Sequence, residues 1–476
     1  MSDNRPLRVA VIGSGPAGIY ASDALMKSGK DVSIDLYEKM AAPFGLIRYG
    51  VAPDHPRIKG IIKALHKVMD KPQIRLLGNV NVGEDITLDD LKKHYDAVIY
   101  ATGATDDRDL NIPGGEHTLG AGRFVGFYDA NPHFEDSWNV DAESVAVIGV
   151  GNVGLDIARV LAKTGDELLV TEIPDNVYES LKNNKAKEVH VFGRRGPAQA
   201  KFTPLELKEL NHSDTIEVIV NPEDIDYDEG SENARHNSKI TDQVCTILEN
   251  YAVAEPKDAP HKLYLHFFES PVEVRTDDNG KVTALVTERT ELDGNGGVRS
   301  TGALTEWNVG QVYRAVGYKS DEQNDLPWDS RENVLPNVGG RVLTEGPTAD
   351  GIAGVPGSAD PEAELRETLP GVYATGWVRR GPVGLIGNTK GDANEAVANL
   401  LADYDAGIGF APEAPGEDDV IELLHSRDID YTTWEGWYNL DAHERSLGEA
   451  EGRERKKVRS HEEMVHYSSG EARVKA

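Results

Sequence analysis

Residues 7–20 read Leu7-Arg8-Val9-Ala10-Val11-Ile12-Gly13-Ser14-Gly15-Pro16-Ala17-Gly18-Ile19-Tyr20. A short apolar run ends in a glycine turn, and a helical pattern follows through Lys27. In Gly13-x-Gly15-x-x-Gly18 each glycine has its own task. Gly13 permits the tight turn, Gly15 lets backbone approach a pyrophosphate, and Gly18 lets the helix pack close to the strand. The helix start presents free N–H groups and a positive dipole end to phosphate. A second apolar run, 32–37, ends at Glu38, which lies 38 − 18 = 20 residues beyond the last glycine. A carboxylate at that place accepts hydrogen bonds from ribose hydroxyls. A lone glycine motif says little. Strand, glycines, helix, strand and acid in this order describe a dinucleotide-binding unit. A further β-rich run, 97–100, ends in Ala101-Thr102-Gly103.

The pattern returns as Val145-Ala146-Val147-Ile148-Gly149-Val150-Gly151-Asn152-Val153-Gly154, 149 − 13 = 136 residues downstream. A helix is predicted over 155–163 and a second strand over 188–192. That strand ends in Gly193-Arg194-Arg195, with no acid. A carboxylate would repel a ribose 2′-phosphate, whereas a guanidinium fork binds it. The second unit is therefore expected to take NADP rather than NAD. The gap from Gly154 to Arg194 is 194 − 154 = 40 residues, longer than the usual ~20. An insertion that includes 175–184 is expected to bulge from the unit. One adenine dinucleotide with free ribose hydroxyls and one NADP in the same chain point to FAD plus NADPH, with hydride passing from nicotinamide to flavin.

Composition narrows the possibilities further. The chain has 476 residues, which at ~150 residues per domain suggests about three core units. Its net charge of 50 − 81 = −31 disfavours nucleic acid, because polyphosphate is repelled at long range. There is one cysteine, Cys245, near Val244 and Ile247, expected to be a buried small apolar residue. A single cysteine excludes an internal disulfide, a four-cysteine zinc site and a cysteine-ligated iron–sulfur cluster; no metal site is expected. It also excludes a dithiol redox centre, and with it the thioredoxin-, glutathione- and lipoamide-type reductases. Electrons must leave to an external acceptor. No secretory signal and no apolar run of about 18 residues is visible, so a cytoplasmic location is expected.

Elsewhere, residues 222–232 are acid-rich and read as an exposed loop. Residues 262–292 alternate around Asp277-Asp278-Asn279-Gly280, which predicts two strands joined by a turn. Residues 323–361 are rich in Gly, Pro and Asp and read as connecting loops. A strand is expected over 371–375 and a helix over 389–401. Residues 411–452 hold 12 acids and 2 bases, and residues 453–459 then hold 5 bases and one acid. This tail reads as an appended segment, partly ordered around Trp434 and Trp437.

Three stretches carry a family likeness. They are Pro43-Phe44-Gly45-Leu46-Ile47-Arg48-Tyr49-Gly50-Val51-Ala52-Pro53-Asp54-His55-Pro56; Gly193-Arg194-Arg195-Gly196-Pro197 with Phe202-Thr203-x-x-Glu206-Leu207 behind it; and Gly376-Trp377-x-Arg379-Arg380-Gly381-Pro382. Together they resemble the adrenodoxin-reductase-like ferredoxin–NADP⁺ reductases over nearly the whole chain. The small subunit of glutamate synthase shares the plan but carries an amino-terminal cysteine-rich segment that this sequence lacks.

The resemblance implies an α/β fold with two Rossmann-like domains. The FAD domain would be discontinuous, 1–107 plus 325–476, with an NADP domain, 108–324, inserted. It also implies that Ala17, Glu38, Leu46 and Val82 contact FAD, beside Gly13, Gly15 and Gly18. Trp377 would sit near the isoalloxazine, lined by the backbone of Gly384, Leu385 and Ile386. A helix starting near Thr389 would aim its positive end at the flavin. Gly151, Asn152, Val153 and Gly154 would hold the NADP pyrophosphate, and Arg194 and Arg195 the 2′-phosphate. His55 and Glu206 match positions that place the nicotinamide or move a proton. Gly387-Asn388-Thr389-Lys390 departs from the commonest family wording.

The expected partner is a ferredoxin-type iron–sulfur protein. Lys208, with Arg235 and Lys239 at i,i+4 spacing, resembles the family's docking bases, and Lys201 lies nearby. A second stripe, Lys59, Lys63 and Lys67, is expected on one helix face. The alternatives are a flavin monooxygenase, whose Phe-x-Gly-x-x-x-His fingerprint is not seen between the glycine motifs, and a non-catalytic NADP-sensing module.

Overall fold

The computed structural model describes residues 5–323, 325–346, 367–384 and 386–469. The chain divides into two units. The first comprises the chain up to Val51, then His55–Asp106, and the chain from Tyr318 onward; the second comprises Ala52–Asp54 and Asp107–Gly317.

In the first unit the described residues form a seven-stranded sheet. Its order is Asn337–Val338, Arg341–Leu343, Thr368–Ala374, Ala97–Tyr100, Leu7–Ile12, Val32–Glu38, Ile74–Gly78. Neighbours pair in parallel from Thr368–Ala374 through Ile74–Gly78, and the two short outer strands add on antiparallel. Leu7–Ile12 is buried along its whole length, as a parallel strand covered on both faces must be. That includes Arg8, whose guanidinium donates to Asp35 (2.6 Å) and Ser33 (2.7 Å) on the adjacent strand. A buried charge is tolerated there because it is paired and hydrogen-bonded. Helices Pro16–Lys27 and Ile386–Asp405 pack on each other against this sheet.

The carboxyl-terminal tail is not an appendage. Helices Glu417–Ser426, Trp434–Glu449 and His461–Ser468 are ordered elements. Trp437, Leu440, Val458 and Met464 share a core cluster with Val9, Val11 and Ile34, and Val420 and Leu424 fill the opposite face of the sheet.

The second unit has a six-stranded sheet in which every pair is parallel. Its order is Leu119–Gly120, Gln311–Arg314, Ser144–Ile148, Glu188–Phe192, His261–His266, Ile216–Val220. Beside it lies an antiparallel sheet of Glu269–Thr276, Val282–Leu292 and Val298–Trp307. The stretch 262–292 is thus three strands rather than two, because its first part joins the parallel sheet. The expected bulge between Gly154 and Arg194 does not occur. Helices Gly165–Leu168 and Asp175–Leu181 bury Leu168, Val177 and Leu181 in the core.

The acid-rich stretch 222–232 also differs from an exposed loop. It forms a 3₁₀ turn, Pro222–Asp224, and the start of helix Glu229–Asn237. Asp224 is buried, accepts from Phe267 N–H (3.1 Å) and pairs with Arg289 (2.7 Å). Burial raises its carboxyl above the usual range, partly offset by Arg289.

The crossovers fall at 106/107 and 317/318, where 107/108 and 324/325 were expected. Tyr318 belongs to the first unit because it stacks on Trp377, with centroids 6.1 Å apart. Ala52–Asp54 belongs to the second because Ala52 sits in its core and Asp54 is held there by charge.

Candidate cofactor-binding sites

The two glycine turns are built alike. In the first unit Gly13 N–H donates to Tyr37 O (2.8 Å) and Ala101 N–H to Ile12 O (2.7 Å). In the second, Gly149 N–H donates to Phe192 O (3.0 Å) and Ala315 N–H to Ile148 O (2.7 Å). Gly13 has φ +108° and Gly149 φ +131°, and a Cβ on either would overlap the carbonyl of Ala101 or Ala315. Gly18 and Gly154 lie against the carbonyls of Gly13 and Gly149 and admit no side chain. Gly15 and Gly151 face space: a Cβ would stand 4.0 Å from Gly45 Cα and 3.9 Å from Lys201 Cβ. Helices Pro16–Lys27 and Asn152–Ala162 open directly from these turns. Open cradles at the ends of two helices fit the pyrophosphates of two dinucleotides.

What surrounds each cradle differs. In the first unit Glu38 is buried, and its Oε2 accepts from Ser14 N–H (3.0 Å) and Ser14 Oγ (2.7 Å). Its Oε1 accepts from Met40 N–H (3.0 Å). A carboxylate offers about four acceptor positions, so this one is locked beside the turn with room for one more donor. Ala17 is buried and backs onto Gly376, whose φ is +70° and whose Cβ would lie 2.6 Å from that of Ala17. Leu46 is half-buried at the start of Leu46–Tyr49, and Val82 is half-buried and bridges to Ile86. Trp377 is half-buried and Gly384 exposed. Leu385 lies outside the described residues, as does the side chain of Ile386. The helix expected from Thr389 begins at Ile386.

Sequence reasoning missed Asp392. It is buried and accepts from Thr375 Oγ1 (3.0 Å), Gly376 N–H (2.5 Å) and Arg379 Nη1 (2.5 Å), and pairs with Arg380. It ties the Gly376-Trp377 turn to the helix behind it. The available signal was an acid near a helix start, where the dipole favours one.

In the second unit Arg194 is exposed and Arg195 half-buried. Their backbone is pinned: Arg194 O accepts from Thr290 Oγ1 (2.8 Å) and Arg195 O from Phe268 N–H (3.2 Å). Among the described residues neither guanidinium forms an ion pair or hydrogen bond. Two adjacent cations thus stand there without a carboxylate partner among the described residues, in a chain of net charge −31. Val153 is half-buried in the first helical turn, and Asn152 Oδ1 accepts from Thr203 N–H (2.8 Å).

Glu206 is buried on helix Pro204–Glu209, with an oxygen 3.8 Å from Arg159 Nη1. His55, in the first unit, is buried and caps the turn Pro56–Lys59. Its chain neighbour Asp54 is gripped by Arg159 (2.8 Å) and Lys163 (2.8 Å). Burial would raise that carboxyl, but the two cations outweigh it and hold it far below the usual range. Cys245 is buried, which raises its thiol.

The expected docking bases divide. Lys208, Lys239 and Lys201 are exposed. Arg235 is not a free surface base: it pairs with Glu249 (2.8 Å) and Asp242 (3.1 Å) and lies 4.6 Å over the Tyr227 ring. It also shares no helix with Lys239, because Ser238 is extended between Glu229–Asn237 and Lys239–Ala252. The Lys59 stripe breaks likewise at Gly60, so Lys63 and Lys67 lie on Ile62–Met69 and Lys59 on Pro56–Lys59.

Known proteins share this construction. The profile of the pyridine nucleotide-disulphide oxidoreductase family matches residues 7–191. The NADPH-ferredoxin reductase FprA of Mycobacterium tuberculosis is 38% identical, with 98% of this chain and 100% of that protein covered. The mitochondrial NADPH:adrenodoxin oxidoreductase of Bos taurus is 33% identical over 96% of this chain and 91% of its own. The solved structure of M. tuberculosis FprA in complex with NADPH superposes with a TM-score of 0.85 at 37% identity, covering 97% of this chain and 99% of that one. With identity at this level sustained along both chains, this protein belongs to the family of NADPH-ferredoxin and NADPH:adrenodoxin reductases.

Proposed function

We infer that the protein is an FAD-containing NADPH:ferredoxin oxidoreductase. It takes a hydride from NADPH and delivers single electrons to a ferredoxin-type iron–sulfur protein. One contrast carries this reading: two like glycine cradles in one chain, one flanked by a locked carboxylate, Glu38, the other by two arginines without internal partners among the described residues. The first suits a ribose with free hydroxyls and the second a ribose 2′-phosphate. The names of the relatives carry NADPH and a ferredoxin or adrenodoxin acceptor. The first unit thus takes FAD and the second NADP.

FAD, when bound, converts between the two-electron chemistry of NADPH and the one-electron chemistry of the acceptor. The chain's own residues bind and orient. The first turns of Pro16–Lys27 and Asn152–Ala162 hold the two pyrophosphates by N–H groups and dipole. Glu38 accepts from a ribose hydroxyl through its remaining position. Asp392 keeps Gly376 and Trp377 set against the start of Ile386–Asp405. Arg194 and Arg195 grip the 2′-phosphate, and His55 and Glu206 place the nicotinamide or shift a proton beside it. Lys208 and Lys239 remain as docking bases for the acidic acceptor. A cytoplasmic location stays the expectation from the sequence. Among the described residues no helix is long and apolar enough to cross a membrane.

The test is direct. The purified protein is expected to show the visible spectrum of oxidised flavin and to bleach on anaerobic mixing with NADPH. It should reduce cytochrome c only with ferredoxin added. A protein that takes up no FAD ends the reading, and one that binds FAD but is not bleached is a sensor rather than an enzyme.

A further inference from the structure

The tail is a feature of the sequence that the reaction does not absorb. Beside contacts to Ser33, Asp70 and Asp90, it meets one loop, residues 40–50, which passes the first glycine turn. Phe44 N–H donates to Ser14 O (3.1 Å), and a Cβ on Gly45 would lie 3.1 Å from Gly15 Cα. A shift in this loop therefore reaches the cradle itself.

The loop does not hold this shape unaided. Phe44 has φ +86°, a costly conformation for a residue with a bulky side chain, which persists only when its surroundings over-determine it. Those surroundings come from helices Trp434–Glu449 and Ile62–Met69. The Phe44 ring lies 5.3 Å from Trp437 and 6.1 Å from Trp434, both edge-on, with His66 stacked at 5.3 Å. Four residues on, Arg48 is buried and both its terminal nitrogens donate to Glu444, at 3.0 and 2.5 Å. Glu444 is fully buried and also accepts from Arg455 (3.0 Å) and Val458 N–H (3.0 Å). Lys457 Nζ donates to Arg48 O (2.5 Å), and Thr432 Oγ1 to Ala41 O (2.9 Å). The acidic and basic halves of the tail thus meet at one carboxylate under the loop.

We propose that the tail segment 432–458 is a built part of the first dinucleotide site, with Glu444 as the positioning residue that sets loop 40–50 against the glycine turn. This rests on the reading that this turn holds FAD. Removing the charge of Glu444 leaves the buried Arg48 without a carboxylate partner among the described residues, while Arg455 keeps Asp441, so Arg48 must move and carry the loop with it.

The experiment uses the purified holoprotein and follows FAD release after dilution by the return of free-flavin fluorescence. Glu444→Gln is expected to release FAD at least about tenfold faster, as loss of a buried charge partner implies. The visible circular dichroism of the flavin that remains bound should change. Glu444→Asp keeps the charge and should recover most of the retention. NADP⁺ binding to the second unit, measured by equilibrium dialysis, should stay within about twofold of wild type. Wild-type FAD release in Glu444→Gln overturns the proposal. So does a parallel loss of NADP⁺ binding, which would mean general unfolding. If Glu444→Gln does not fold, Lys457→Met replaces it, and wild-type release there is equally fatal. A wild-type protein that never takes up FAD would instead sink the functional reading.

Discussion

Replacing both Arg194 and Arg195 by alanine isolates one electrostatic contact. Among the described residues neither guanidinium has an internal partner, and the backbone of both is held by Thr290 and Phe268 through carbonyls that alanine retains. The double variant should therefore unfold within about 0.5 kcal/mol of wild type, as surface changes without partners do. The loss falls on the 2′-phosphate. A charge-assisted contact contributes roughly 1.5–3 kcal/mol, or about 10–150-fold in discrimination. Because Arg194 is exposed, added salt should narrow the wild-type preference, whereas the variant should respond little. The assay is kcat/KM for NADPH and NADH with ferricyanide as acceptor, at two ionic strengths, beside a denaturant midpoint. NADPH efficiency should fall by that factor while NADH efficiency holds. An unchanged NADPH/NADH ratio would refute the assignment, and a large drop in the midpoint would show that the arginines serve the fold.

Glu38→Ala should speed FAD release and leave the NADPH/NADH ratio alone; equal FAD retention, followed by flavin fluorescence after dilution, removes Glu38 from the site. His190 Nδ1 and His266 Nε2 lie 3.0 Å apart, and burial lowers both, pushing His266, with His190 beside it, down to about 3. Above pH ~6.5 neither the folded nor the unfolded chain protonates them; below it the unfolded chain does and the folded His266 resists, so stability falls as pH drops, by up to about 1.4 kcal/mol per pH unit from His266, with His190 acting in the same direction. Urea midpoints measured between pH 7 and 5 should show this slope, and His266→Phe should flatten it; an unaltered slope removes the pair as its source. Charge reversal at Lys208 and Lys239 should slow ferredoxin reduction at low salt and spare turnover with ferricyanide. Reversal at Arg235 should instead lower stability by breaking its pairs with Glu249 and Asp242, and a stable Arg235→Glu variant would contradict this.

The sequence by itself determined the two glycine turns, the acid that follows one and the arginines that follow the other. These were legible because strand, turn and helix are specified by near neighbours: Gly13 and Gly149 must be glycine wherever a strand turns sharply beneath a carbonyl. The single cysteine likewise settled, from composition alone, that no dithiol relays the electrons. Only the tertiary structure decided which charges are spoken for. Arg194 and Arg235 look alike as letters, yet among the described residues one has no internal partner and the other lies between two acids and over a ring. Asp224 reads as a loop acid and is buried against Arg289. Asp392 reads as a helix acid and holds the Gly376 turn. The tail reads as an attachment, and its Glu444 pairs with an arginine 396 residues away. The reason is common to all of them: backbone geometry is encoded within a few residues, but the worth of a charge depends on what excludes water from it and what answers it, and those groups arrive from distant parts of the chain only when it folds.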